Sequence, residues 1–222
     1  MYNIQLICPS NIVICGPTGS GKTNIVGNLL TYKDIIFNIN PKYVILFYAQ
    51  PQPIYDEWAK SGLIHEMHQT FPNLDELKQI LSSHKKEGTI CIFDDLMLMS
   101  SNDSSDIFTV IGHHYNCVNI FTSQSLFFDQ KHYRTMMLNA HYLFLTKSPR
   151  DRSQIIYLGK QISPYNTKYV VDSYFDATVN PYSYIFFDFH QSQSELVRIR
   201  SNIFPYQWPV KVYFERKKFD QN

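Results

Sequence analysis

The chain has 222 residues and a formal net charge of +1, which suits one α/β domain and gives no overall electrostatic attraction to nucleic acid. Hydrophobic residues make up 44% and aromatic residues 15% of the chain, which is typical of a folded protein and excludes a largely disordered one. No stretch reaches the roughly 18 apolar residues that span a bilayer, so we expect no membrane partner.

The cysteines and the N-terminus indicate a soluble, intracellular protein. The four cysteines fit neither zinc-finger spacing nor a disulfide framework. Cys15 and Cys91 lie in apolar runs, which predicts small core residues in a reducing compartment. The segment from Met1 to Ser10 lacks the basic flank and cleavage site of a signal peptide, so we expect no secretion.

Apolar runs alternate with helical patterns through the first half of the chain. The run Asn11–Cys15 predicts a buried strand that leads into a glycine-rich segment, and Lys22–Thr31 follows as a helix with one apolar face. Proline residues bound a second predicted strand, Lys42–Tyr48. The spacing of leucine and isoleucine predicts a helix over Leu74–Ser83, and Thr89–Phe93 predicts a strand that ends in two aspartates.

The second half continues the alternation. A helix is predicted over Ser105–His114, and buried strands over Val118–Thr122 and Ala140–Thr146. Further helices and a terminal hairpin or pair of edge strands follow: helices Arg150–Gln161 and Lys168–Ala177, strands Tyr182–Phe189 and Leu196–Ile199. Strands that are apolar on both faces and separated by helices predict an α/β fold with a mainly parallel sheet flanked by helices on both faces. We assign residues 1–205 to this domain and 206–222 to a C-terminal tail.

The glycine-rich segment is a complete phosphate-binding loop. It comprises Gly16, Pro17, Thr18, Gly19, Ser20, Gly21, Lys22 and Thr23. Its glycines let several backbone N–H groups converge on a triphosphate, and the following helix adds its positive N-terminal end. Lys22 is expected to reach the β- and γ-phosphates, and the Thr23 hydroxyl to ligate Mg²⁺. The loop follows a predicted strand and opens a predicted helix, so we expect binding and hydrolysis of ATP with Mg²⁺.

An acidic pair follows the strand Thr89–Phe93. Ligands of open α/β sheets sit at the carboxyl ends of strands, where Asp94 and Asp95 are delivered. Asp94 is expected to hold Mg²⁺, and Asp95 to polarise the attacking water, as in additional-strand P-loop NTPases. Two alternatives stay open at this point: the two roles are exchanged, or the pair caps the next turn.

Gln124 follows the strand Val118–Thr122 and is expected to reach the γ-phosphate or to orient the water, unless it is a loop amide bonded to backbone.

Charge on a transferred phosphoryl group usually needs a cation beyond Lys22, for which Arg134, Arg150 and Arg152 are candidates. The sequence Arg150-Asp151-Arg152 is equally compatible with a solvated helix start that contains an internal ion pair.

Eight segments of the chain together match one family. They are Gly16–Thr23, Gln50–Tyr55, Phe93–Met97, His113–Phe127, Leu138–Tyr142, Ser148–Ile155, Tyr174–Tyr182 and Arg198–Pro205, which span roughly residues 10–205. The loop by itself indicates only a P-loop protein. With the run from His113 to Ile155, the chain resembles the genome-packaging ATPases of Polinton (Maverick) elements, adintoviruses and related DNA viruses, within the FtsK–HerA superfamily.

The resemblance implies a homo-oligomeric ring ATPase that drives double-stranded DNA into a preformed capsid. It implies a capsid or portal-vertex partner, a location in the nucleus or cytoplasm of a host cell or in the virion, and a role for Gln124 beside the acidic strand. Two other classes remain open from the residues: a nucleotide or small-molecule kinase, and a nucleotide-gated capsid-assembly switch. A motor should respond to double-stranded DNA, a kinase to a small acceptor, and a switch to neither.

Overall fold

The computed structural model describes residues 4–96, 112–127 and 131–215. Within these residues one nine-stranded sheet has the order β3-β2-β4-β5-β1-β6-β7-β8-β9. The strands are β1 Ser10–Cys15, β2 Tyr43–Tyr48, β3 Glu66–His68, β4 Thr89–Asp94, β5 Cys117–Ser123, β6 Tyr142–Thr146, β7 Tyr184–Asp188, β8 Ile199–Ser201 and β9 Lys211–Tyr213. Neighbours among β1 to β6 pair in parallel, whereas β7, β8 and β9 are added antiparallel at one edge.

Helices connect the parallel strands. They are α1 Lys22–Thr31, α2 Lys33–Ile36, α3 Pro53–Lys60, α4 Leu74–His84, α5 Gly112–Tyr115, α6 Lys131–Leu138, α7 Ser153–Ile162 and α8 Thr167–Ala177. Short 3₁₀ turns cover Glu195–Val197 and Pro205–Gln207. Within the described ranges, no helix combines the length and the apolar character that crossing a bilayer requires.

The sheet separates two hydrophobic cores. Along a central strand, successive side chains belong alternately to one core and to the other. In β1, Val13 and Cys15 belong to one core, whereas Ile12 and Ile14 belong to the other. Because side chains alternate across a strand, a strand that is buried on both faces must be apolar at every position. The predicted sheet covered on both sides is therefore confirmed, and all four cysteines are free and buried.

Most predicted elements are present, with boundaries that shift by a few residues. The strand predicted over Leu196–Ile199 is wrong for most of its length, because a 3₁₀ turn covers Glu195–Val197 and the strand begins at Ile199. The helix predicted to begin at Arg150 begins at Ser153, because Asp151 accepts hydrogen bonds from the Ser153 N–H and hydroxyl and from the Gln154 amide. Residues 105–111 of the helix predicted over Ser105–His114 lie outside the described residues.

The C-terminal strands β7, β8 and β9 form one edge of the sheet, and a buried ion pair joins β7 to β8. Arg200 on β8 donates to the Asp188 carboxylate on β7, and each side chain is 1% exposed. The guanidinium also donates to the Ile4 carbonyl and lies over the Phe186 ring. In the part of the chain predicted as a tail, Lys211–Tyr213 pair with β8, while residues 216–222 lie outside the described ranges. The division at residue 205 stays a prediction.

Candidate nucleotide-binding site

The order of the strands brings the predicted site residues together at the carboxyl ends of the parallel strands, which form the carboxyl edge of the sheet. Strand β1 pairs with β5 on one side and with β6 on the other, and β4 lies beyond β5. These strands are parallel, so the residues that follow them share one edge of the sheet. This is the edge at which open α/β sheets bind ligands.

The phosphate loop leaves β1 and packs against the end of β6. A methyl group placed on Gly16 would lie 1.7 Å from the Thr146 Oγ1, so the close approach requires glycine. The Thr146 hydroxyl also contacts the Ser20 hydroxyl at 2.7 Å and the Cys15 carbonyl at 3.2 Å. Gly21 stands at the N-cap of α1 with a φ of 99°, which is a left-handed conformation. Loop and helix therefore meet in the geometry that the sequence motif predicts.

Lys22 folds back into the loop that precedes it. Its ammonium donates to the Gly16 carbonyl at 2.8 Å and to the Pro17 carbonyl at 3.2 Å, and the residue is only 8% exposed. The two carbonyl contacts hold a positive charge inside the loop, where an anionic phosphate would compete for it. The structure thus places the Lys22 ammonium inside the loop, and its contact with a phosphate stays a prediction.

Three side chains hold the Asp94 carboxylate. The Thr122 hydroxyl donates to its Oδ1 at 2.5 Å, and the Gln52 amide donates to its Oδ2 at 3.0 Å. The Tyr55 hydroxyl also donates to the Oδ2, and both Tyr55 and Asp94 are buried. Burial and the negative charge of Asp94 raise the pKa of the Tyr55 phenol far above its ordinary value, so this hydroxyl stays protonated.

Gln52 joins the two residues that were predicted to bind Mg²⁺. Its Oε1 lies 3.4 Å from the Thr23 hydroxyl, while its amide nitrogen contacts Asp94. A hydroxyl and a carboxylate are oxygen ligands of the kind that Mg²⁺ prefers. Thr23 and Asp94 therefore fit a magnesium ion, directly or through water, and Gln52 lies between them.

Asp95 lies just beyond the end of β4, in a more exposed environment than the buried Asp94. Its φ of 52° lies in the left-handed region, and its N–H donates to the Thr122 hydroxyl at 3.0 Å. Partial burial, and then the neighbouring Asp94 charge, raise the pKa of the Asp95 carboxyl, whereas Lys22 and a hydrogen bond with Gln124 lower it. The exposed Asp95 is thus the carboxylate suited to accept a proton, and Gln124 lies in contact with it.

The three candidate arginines do not contact this cluster in the part of the chain that the structure describes. Arg134 is exposed on α6 and lines a groove of about 660 Å³ between α6 and α7. Arg152 lies over the Phe175 ring at 5.4 Å, and Arg150 is exposed in the loop before α7. Among the described ion pairs none involves Arg150 or Arg152, and Asp151 accepts hydrogen bonds from Ser153 and Gln154 instead. Their catalytic role stays a prediction.

The sequence reasoning missed four polar residues of the site: Gln52, Tyr55, Thr122 and Thr146. Thr122 and Thr146 are polar residues near the ends of apolar strands, which was an available signal. Gln52 and Tyr55 follow the carboxyl end of β2, but the sequence does not reveal that β2 lies beside β4. Their place beside Asp94 follows from the strand order alone.

The fold and the loop are those of a P-loop NTPase domain of the additional-strand type, with antiparallel strands added at one edge. Two solved structures share the arrangement. One is EssC (ATPases 2 and 3) from Geobacillus thermodenitrificans, with a TM-score of 0.51 and 14% identity over 68% of this chain and 34% of that one. The other is the cytoplasmic domain of the Thermomonospora curvata type VII secretion ATPase EccC, with a TM-score of 0.50 and 11% identity over 94% of this chain and 24% of that one.

At these identities the likeness concerns the fold alone. The chain spans about a third and a quarter of the length of the two proteins. No family model matches the sequence, and no curated protein matches it.

Proposed function

We propose that this chain is an ATP-hydrolysing motor subunit that moves double-stranded DNA into a capsid, of the kind found in Polinton-type genome packaging. The observation that carries the proposal is the convergence of Lys22, Asp94, Asp95 and Gln124 at the carboxyl edge of one sheet. The resemblance of the segments between His113 and Ile155 to packaging ATPases supplies the DNA substrate.

Each residue of the site has its own role in phosphoryl transfer. Lys22 and the amino end of α1 bind the phosphates, and Asp94 with Thr23 would hold Mg²⁺. Bound Mg²⁺ would neutralise charge on the phosphate oxygens. Asp95 accepts the proton of the attacking water, and Gln124 orients that water from its position beside Asp95.

This arrangement favours hydrolysis over a passive nucleotide switch. A switch needs only a nucleotide site that changes shape, whereas the contact between Asp95 and Gln124 provides a proton acceptor and an orienting amide. Neither side chain contributes to the core, because both are exposed. Their position beside the phosphate loop supports a role in chemistry rather than in packing.

The motor works as a ring, because assembly would supply a combined DNA-binding surface and an arginine from a neighbouring subunit. With a net charge of +1, one subunit has no large excess of positive charge for DNA, whereas loops from several subunits would act together in a shared channel. A closed head-to-tail ring would also bring an arginine of one subunit to the γ-phosphate of its neighbour. Arg134, Arg150 and Arg152 are all exposed and are the candidates for that role.

DNA-stimulated turnover is the first test. We expect the ATPase rate per subunit to rise with protein concentration and with added double-stranded DNA, and to stay unchanged with small phosphoryl acceptors. A rate that is flat with concentration and DNA would refute the ring motor, and consumption of a small acceptor would establish a kinase.

Mixing two inactive variants tests the shared site. Lys22→Ala lacks its own phosphate contact but keeps its arginines, whereas an arginine variant keeps its own loop. If Arg134, Arg150 or Arg152 acts on the neighbouring subunit, one of these variants binds ATP, fails to hydrolyse it, and regains activity when titrated with Lys22→Ala. Absence of rescue for all three arginines would contradict the proposal.

A further inference from the structure

We infer that Tyr182 forms the base-binding platform of the nucleotide site, stacking its ring on the nucleobase. This inference rests on the proposed function, because it assigns a subsite to the same nucleotide. It adds a residue on the opposite side of the phosphate loop from the acidic pair.

Tyr182 lies directly against the start of α1. A methyl group placed on Gly21 would lie 3.3 Å from the Tyr182 Cβ and 3.6 Å from its Cδ1. The contact arises because β7 runs antiparallel to β6, pairing Tyr184 with Thr146, so the segment before β7 returns to the phosphate edge. Tyr182 is thus a neighbour of the nucleotide loop although it lies far from Gly21 in the sequence.

The order of the strands indicates which end of a nucleotide would meet Tyr182. Asp94 and Gln124 lie on the β4 and β5 side of β1, which assigns the γ-phosphate to that side. Tyr182 precedes β7, on the β6 side of β1. A nucleotide whose triphosphate lies along the loop with its γ-phosphate toward Asp94 directs its base toward Tyr182.

Hydrogen bonds hold the backbone of the turn that carries Tyr182. Tyr182 has a φ of 60°, a left-handed conformation that is rare for a bulky residue and that concentrates at functional sites. The Ser183 hydroxyl donates to the Asn180 carbonyl at 2.6 Å, and the Lys147 ammonium donates to the Val179 carbonyl at 2.8 Å. These hydrogen bonds involve residues before and after Tyr182, so the turn is held on both sides of it.

The ring itself is available for stacking. Tyr182 is 66% exposed, and within the described residues its hydroxyl has no hydrogen-bond partner. An exposed aromatic ring that lies beside a phosphate site presents a flat apolar surface to the base. Stacking on such a ring tolerates any base, so the platform contributes affinity and not a choice between ATP and GTP.

The test compares a ligand that has a base with one that lacks it. Tyr182→Asn removes the ring, and asparagine tolerates the left-handed backbone. We expect its Kd for ATP to rise about tenfold, which corresponds to about 1.4 kcal/mol, while the Kd for inorganic tripolyphosphate is unchanged. Tyr182→Phe should keep the wild-type affinity for ATP because it keeps the ring. Tyr165→Ala, which removes a fully exposed tyrosine after α7, is the matched control.

The possible outcomes distinguish the base-binding role of Tyr182 from the proposed motor function. Unchanged ATP affinity in Tyr182→Asn, or an equal loss for ATP and tripolyphosphate, would overturn the platform. Failure of the wild-type protein to bind either ligand would overturn both proposals. Selective loss of ATP affinity in a protein that DNA does not stimulate would support the platform while refuting the motor.

Discussion

The hydroxyl of Thr122 is the best single point at which to test the acidic end of the site. It donates to the Asp94 carboxylate and accepts from the Asp95 N–H, so one oxygen positions both aspartates. Thr122 is 0% exposed. Replacement by valine, which has nearly the same shape, removes both hydrogen bonds without opening a cavity.

The expected cost follows from those two bonds. A hydrogen bond to a charged group contributes about 1.5–3 kcal/mol, and the partly buried Asp95 N–H left without its partner costs about 1 kcal/mol, the lower end of the range for a buried donor. Asp94 keeps its bonds from Gln52 and Tyr55, which places the estimate toward the lower end of the sum, at about 3 kcal/mol. For a chain of this size that lowers Tm by about 6–12 °C.

Thr89→Val is the matched control. Thr89 is also 0% exposed, on the neighbouring strand β4, but its hydroxyl has no hydrogen-bond partner among the described residues. The same substitution there should leave the free energy of unfolding unchanged or raise it slightly. Thermal unfolding of both variants without nucleotide measures the difference, and ATPase assays should show slower turnover for Thr122→Val only. Equal Tm shifts for the two variants would refute the reasoning.

Three further predictions concern the loop and the acidic pair. Lys22→Ala should slow steady-state hydrolysis by about 10²–10³, as expected for one electrostatic donor; near-wild-type turnover would contradict the loop assignment. Asp95→Asn should bind ATP but lose turnover, whereas Asp94→Asn should weaken the Mg²⁺-dependent part of binding; titrations with and without Mg²⁺ decide, and the reverse pattern would exchange the roles. Gly16→Ala should abolish ATP binding, measured by calorimetry, because its Cβ would meet the Thr146 hydroxyl at 1.7 Å; normal affinity would show that the loop accommodates a side chain.

The sequence by itself determined the phosphate loop and the central strands, because both depend on local patterns. The spacing of glycine, lysine and threonine in Gly16–Thr23 can be recognised from the local sequence, without knowledge of any distant contact. Continuous apolar runs such as Asn11–Cys15 predict strands that are buried on both faces, and β1, β4 and β5 confirm this. The acidic pair was recognised because it follows such a run.

Short elements at the edges escaped the sequence analysis for physical reasons. The helix Pro53–Lys60 was not predicted because Pro53 was interpreted as the boundary of a strand, although proline is well tolerated at the first position of a helix. The three-residue strands β3 and β9 are too short for a periodic pattern. The helix Lys131–Leu138 was also missed.

Only the tertiary structure decided which distant residues complete the site. Tyr55 and Gln52 meet Asp94 because β2 pairs with β4, and Thr146 meets Gly16 because β6 pairs with β1. Strand order is set by how helices and both cores pack together, and parallel neighbours are joined by long crossovers that leave no local signal. The sequence therefore determined the residues that would bind phosphate, while the packing of the sheet determined the residues that hold them in position.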